Sequence, residues 1–142
     1  TAQTLAGTTS GAIGDAAAAQ SVATVFNVNL LNGLITASSL TAAVSSTSDG
    51  VQATSNALGS TLADLVVNGV RFTSGDGTVA PNTSVTLPGV GYAVLNEQLP
   101  SGDGVHTSGL TVNLIHVVLL NALTGTRTGE IVVGSATSSA TR

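Results

Sequence analysis

Two Asn-Gly dipeptides, each set between runs of alternating aliphatic residues, do most to limit what this chain can become. A type I′ turn needs positive φ at both central residues, and Asn followed by Gly meets that need with least strain. Val22, Thr24, Phe26, Val28 and Leu30 alternate toward Asn32-Gly33, and a returning strand is expected from Leu34 to about Val44. Such a turn pairs Leu30 with Ile35 and Val28 with Ala37, which keeps apolar side chains on one face. Ala63, Leu65 and Val67 approach Asn68-Gly69 in the same way, with Val70 and Phe72 returning on that face. Asp64 and Arg71 then share the other face and can pair diagonally. Such an exposed pair is worth under about 1 kcal/mol.

A third hairpin follows from Ser84–Leu87, a Pro88-Gly89 turn and Tyr92–Gln98, since Pro then Gly suits the centre of a type II turn. A long strand is expected over Leu110–Leu120, and Gly129–Ala136 closes the chain. About 7–9 short strands at these spacings specify an all-β fold, an antiparallel β-sandwich. A β-solenoid or barrel is the alternative, and no fixed short repeat supports the solenoid. Residues 1–20 differ from the rest, being Ala, Gly and Thr with isolated Leu5 and Ile13. They are expected to form an N-terminal extended arm, a possible donor strand, ahead of a sandwich domain over 21–142.

Composition sharpens this picture. Only 7% of residues are charged while 42% are hydrophobic, against roughly 25% charged in an average soluble domain. Lysine is absent, and the cations are Arg71, Arg127 and Arg142. Monomers commonly protect sheet edges and solubility with scattered charge, lysine above all. A chain without it is expected to cover its surface with copies of itself or with a solid. The aromatics are Phe26, Phe72 and Tyr92, so the core must come from aliphatic side chains and Thr methyls. Ser and Thr make up about a quarter of the chain, in a background too apolar for disorder. A net charge of −4 without a basic cluster argues against nucleic acid. The apolar stretch Leu110–Leu123 is broken by Asn113, His116 and Asn121 and is too short for a membrane span. A start at Thr1 fits a mature product whose secretory signal has been removed.

Several residues have the character of chemistry, and each has a plainer reading. Ser74-Gly75-Asp76-Gly77 recurs as Ser101-Gly102-Asp103-Gly104. Calcium wants six to eight oxygens, and each loop offers one carboxylate, so tight turns are the expected role. Asp103, His106 and Ser108 contain the residue types of a hydrolytic triad but lack any nucleophile elbow around the serine. His116 is expected on one strand face with Leu114 and Val118, as a hydrogen-bonded, partly buried histidine. Asn82-Thr83-Ser84 is an N-glycosylation sequon on a surface loop. Without cysteine there are no disulfides or thiolate metal sites, and without lysine no Lys–Asn isopeptide staple. No catalytic residue, metal site or cofactor is assigned.

The segments Leu30–Ala37, Ala80–Thr83, Leu87–Gly91, Val94–Gln98, Gly109–Asn113 with His116, and Gly129–Val133 carry a family resemblance. Together, from Val22 to Ser135, the chain resembles the choice-of-anchor P group of bacterial secreted and surface proteins. That resemblance implies an exported protein displayed at or beyond the cell surface, and it implies no enzyme activity.

The functional expectation is a non-enzymatic structural subunit of an extracellular fibre or surface layer, self-assembling by strand addition. Its expected partners are copies of itself and the cell envelope or another surface. Leu5 and Ile13 in the arm, and Ile131 and Val133 in the terminal strand, are the expected interface anchors. The alternative is a monomeric surface adhesin, or an ice- or glycan-binding module, presenting a Thr/Ser-rich face.

Overall fold

The structure is a computed structural model that describes residues 4–12 as backbone and residues 17–141 in full. It is all-β, and two antiparallel sheets enclose one aliphatic core. The first sheet, sheet A, is built on three long strands: β1 (Thr4–Ala12), β2 (Ala17–Leu30) and β3 (Ile35–Ser48). Short strands complete it: β4 (Ala53–Asn56), β5 (Thr61–Ala63), β6 (Val66–Val67), β7 (Val70–Arg71) and β8 (Asp76–Gly77). Its order is β1-β2-β3-β5-β8, with β4 and β6 also on β3 and β7 on β6. Sheet B runs β12-β11-β10-β9, from β9 (Thr83–Leu87), β10 (Gly91–Gly102), β11 (Thr107–Leu120) and β12 (Arg127–Thr141).

The expected hairpins form, with the expected pairs. Leu30 lies opposite Ile35 and Val28 opposite Ala37, around a turn with φ of 54° at Asn32 and 87° at Gly33. Asn68 and Gly69 repeat this with 50° and 76°. Gly89 takes 73° at the Pro-Gly turn, closed by Val90 N–H donating to the Leu87 carbonyl at 3.0 Å. β12 is longer than expected, Ala63 of the second expected hairpin falls in β5, and the short strands β4 and β8 have no counterpart in the sequence pattern.

Simple alternation fails in the middle of both sheets. In β2 the inward residues are Val25 and Val28, three apart, and Phe26 is 41% exposed. Asn27 between them sits at φ 52°, opposite Ser38 of β3, where burial passes from Ala37 to Leu40. One strand further on, Asp64 at φ 50° separates buried Leu62 from buried Leu65. Sheet B does the same along Asn96 (φ 51°), Leu114 and Gly134 (φ 72°). There Leu110, Val112 and Leu114 face the core on one side of the line, and Ile115 and Val117 on the other. The ladders resume in unchanged register: Leu95 opposes Ile115 and Glu97 opposes Asn113. No residue is inserted, so each line is a change of face and not a slip in pairing. A left-handed backbone turns the chain over, and Asn, Asp and Gly adopt it most readily.

These lines correct three readings of the sequence. Phe26 does not share a face with Val28, and His116 shares one with Val118 but not with Leu114, which faces the core. Val70 is 58% exposed instead of returning to the core, while Phe72 packs against it.

The sheets are also stitched by hydroxyls. Ser138 Oγ of β12 lies 2.7 Å from Ser46 Oγ of β3, which lies 2.7 Å from Ser55 Oγ of β4. Ser55 Oγ is in turn 2.8 Å from Ser108 Oγ of β11. This chain of hydroxyls crosses between the two sheets. Each neutral bond contributes about 1 kcal/mol, and loss of one partner strands the others.

The face change makes a direct prediction at Gly134. A Cβ there would meet Leu114 Cδ1 at 3.2 Å on a backbone at φ +72°. Gly134→Ala is expected to lower stability by about 1–2 kcal/mol in urea titration, from left-handed strain alone. An unchanged midpoint would show that the strand does not turn over there.

Candidate functional site

Both lines of face change gather polar side chains on the outer surface. In sheet B, two consecutive inward residues, Leu114 and Ile115, leave Asn113 and His116 outward on either side of them. Both therefore reach the same carboxylate. Asn113 Nδ2 donates to Glu97 Oε1 at 2.8 Å, and His116 Nδ1 lies 2.9 and 3.1 Å from the two Glu97 oxygens. The other ring nitrogen, Nε2, lies 2.9 Å from Glu130 Oε2, which Arg127 approaches at 3.7 Å. Ser135 Oγ donates to Asn113 Oδ1 at 2.8 Å and completes the cluster. It spans β10, β11 and β12.

A neutral imidazole has one N–H, yet each ring nitrogen here faces a carboxylate oxygen. Burial of the ring works against the charged form. The hydrogen bonds to Glu130 and Glu97, with their negative charges, outweigh it and raise the His116 pKa above its ordinary 6.5. The hydrogen bond from His116 in turn lowers the Glu130 pKa below 4.5, aided by the charges of His116 and Arg127. The imidazolium thus clasps the edge strand β12 to β10 across β11.

Sheet A carries a smaller counterpart at Asp64. Its Oδ1 accepts from Gly75 N–H at 2.9 Å and lies 3.4 Å from Arg71 NH1, and its Oδ2 accepts from Ser38 Oγ at 3.0 Å. The expected Asp64–Arg71 pair is present and exposed. Backbone donation from Gly75 and the Ser38 hydroxyl, more than Arg71, hold this carboxyl below its usual range.

The residue types of a hydrolytic triad do not come together as one. Asp103 Oδ1 accepts three backbone N–H groups, from Val105, His106 and Thr107, at 2.7–2.9 Å. Its Oδ2 meets His106 Nδ1 at 2.8 Å on the exposed β10–β11 turn. Donation from Thr107 and Val105 lowers the Asp103 pKa far below the ordinary carboxylate value. Ser108 instead is buried, with its hydroxyl on Ser55. Asp103 is therefore a turn-building residue. Asp76 sits in β8, and among the described residues no group of three or more His, Cys, Asp or Glu is placed to hold a metal ion. Asn82 of the sequon uses Oδ1 to accept Gln98 N–H at 2.9 Å, which ties down the edge of β10.

The expected interface anchors fall differently. Leu5 lies in β1, opposite Val25 of β2, so this part of the expected arm is an edge strand of sheet A. Residues 17–20, also assigned to the arm, belong to β2 and pair with Ser45–Ser48. Ile13 lies outside the described residues. Ile131 and Val133 oppose Val117 and Ile115 and pack against this chain's own core. Their side chains are thus engaged within the subunit, and what β12 leaves open is its outer backbone edge. Sequence patterning had no signal for this, because edge position depends on strand order.

That edge is the other candidate site. Sheet A ends in β1 and sheet B in β12, and among the described residues neither has a second neighbour. From Ile131 to Thr141 β12 has no charge and no proline, and β1 has neither along its whole length. The opposite ends of the sheets are two-residue β8 and five-residue β9. Beyond β9, the edge of β10 is capped by Asn82 and interrupted by Pro100. Short strands and proline are the ordinary means of blunting an edge. One side of the sandwich has them and the other does not.

Compared with protein-family models, with curated proteins and with solved structures, the chain matches none of them.

The His116 clasp fixes a pH dependence. A raised folded pKa gives stability that is complete below pH 6.5 and lost as pH rises through the folded value. The lowered Glu130 pKa gives stability complete above pH 4.5 and lost as pH falls through its folded value. Both contributions coexist between pH 4.5 and 6.5. Melting temperatures taken from about pH 4 to 9 should fall above that window, and His116→Gln should remove this alkaline decline. Identical profiles for the two proteins would show that the clasp contributes nothing.

Proposed function

We propose that this protein is a secreted, non-enzymatic structural subunit of an extracellular fibre or surface layer, whose copies join by strand addition. The observation that carries the reading is the outer edge of β12, a fifteen-residue strand paired on one side, uncharged from Ile131 to Thr141. Such an edge presents a row of N–H and C=O groups with nothing to repel an incoming strand. The low charge of the whole chain agrees with it, since a subunit covered by its neighbours needs little electrostatic protection. Export and surface display rest on the family resemblance carried by segments such as Leu30–Ala37 and Gly129–Val133.

Strand addition supplies backbone hydrogen bonds of about 1 kcal/mol each, and apolar burial of about 25 cal/mol per Å². A ladder along most of β12 would thus make a durable joint without one dominant contact. Thr137 and Ser139 are exposed on β12, and lysines there place charge on the edge without entering the core. The double variant Thr137→Lys, Ser139→Lys is expected to keep its circular dichroism and lose self-association at least about tenfold, read by sedimentation velocity and negative-stain microscopy. A native chain that stays monomeric at every concentration, or a lysine variant that assembles equally well, would overturn the proposal.

A further inference from the structure

The two open edges lie on the same side of the sandwich, and the sheets do not end together. β12 packs across the interior against β2 and β3, whereas the extensive contacts of β1 are with β2 alone. Sheet A therefore extends one strand beyond sheet B. The position beside β12, facing β1 across the interior, is a strand-wide vacancy in sheet B. Its walls are the outer edge of β12 and the overhanging β1.

We infer that the occupant of this vacancy is the β1 strand of a second copy, and that the exchange is reciprocal. This deepens the strand-addition reading and rests on it. Place the β1 of one copy beside the β12 of another, and the other copy's own β1 lies across from it. That β1 then stands beside the first copy's β12. Each overhang fills the other's gap, so one movement completes both sheets in both subunits. The seam has two β1–β12 ladders related by a two-fold axis, the self-complementary form of contact that closes on itself.

The details of the two strands suit each other. Thr4–Ala12 reads TLAGTTSGA, with no charge, no proline and no aromatic ring. β12 offers GSATSSAT from Gly134 to Thr141, equally small and uncharged. Neither strand opposes a like charge to the other, and small side chains let the added strand enter a narrow space. β1 has nine residues and β12 fifteen, so the incoming strand is covered along its whole length. The blunted side of the sandwich, with β8, β9 and Pro100, offers no equivalent edge. A head-to-tail joint through that side is not what the edges favour. A fibre or layer built on this seam has the two-fold pair as its repeating unit, and pairs meet through other surfaces.

The absence of cysteine makes the seam directly testable in the full chain. Strands in one sheet lie about 4.8 Å apart and stacked sheets about 10 Å apart, and a disulfide needs Cα atoms within about 7 Å. The seam therefore permits β1-to-β12 disulfides between subunits and forbids β1-to-β1 ones. Thr8→Cys and Ser10→Cys, at the β1 positions opposite Val22 and Gln20, are mixed under mild oxidation with Thr137→Cys and Ser139→Cys. Mixed disulfide dimers are expected to exceed both homodimers several-fold, and the best-linked pair reports the register. A chain carrying both Thr8→Cys and Thr137→Cys should close into a covalent dimer on a non-reducing gel. Dominant β12-to-β12 linkage, no linkage while light scattering still shows association, or a ladder of higher oligomers would overturn the reciprocal seam and leave strand addition standing. Absence of association in the native chain would overturn both.

Discussion

Everything in this fold depends on the sheets turning their side chains over halfway along without losing register. Small aliphatic residues make a thin core, and each sheet needs every buried Val, Leu and Ile on the correct side. Asn27 and Asp64 in one sheet, and Asn96 and Gly134 in the other, provide the reversal. Without it, Ile115 and Val117 would face water and His116 would be driven inward. The same turn of the backbone assembles the polar clusters. Asn113 and His116 can share the Glu97 carboxylate only because two inward residues stand between them.

A second constraint follows from the shortage of charge. The few ionisable groups are concentrated where the chain changes face or turns: Asp64 with Arg71, Asp103 with His106, and Glu97–His116–Glu130 with Arg127. None lies on β12 beyond Glu130, so charge is spent on internal order and withheld from the open edge. Hydroxyls take over where ions are missing. The line from Ser138 through Ser46 and Ser55 to Ser108 crosses from one sheet to the other at normal hydrogen-bond distances. It joins β12 to the body of the fold at the end opposite the His116 clasp, so the edge strand is held at two points while its outer side stays open.

Much of the architecture was legible in the residues. Asn-Gly and Pro-Gly pairs located three turns and set the register of the first hairpin, because positive φ is a local demand met by few residue types. The change of face was not legible from periodicity, since an alternating pattern read through Asn27 or Leu114 continues plausibly on the wrong side. The available signal was Asn, Asp or Gly inside an otherwise apolar strand, a position where such residues have little reason to be unless the backbone is left-handed. The His116 cluster was half visible: a partly buried histidine was expected, but its carboxylate partners lie 19 residues upstream and 14 downstream, brought near only by strand pairing. The edges were invisible for the same reason. Ile131 and Val133 had the character of anchors, and strand order packs them, half-buried, against the subunit's own core.

The central claim is that the outer edge of β12 is open in an isolated subunit and covered in an assembled one. Residue-resolved amide hydrogen exchange along Ile131–Thr141, measured from dilute to concentrated protein, tests it most directly. Alternate amides, those not bonded to β11, should exchange rapidly when dilute and become protected as concentration rises, together with amides of Thr4–Ala12. Protection of those amides that is the same at every concentration would contradict the account.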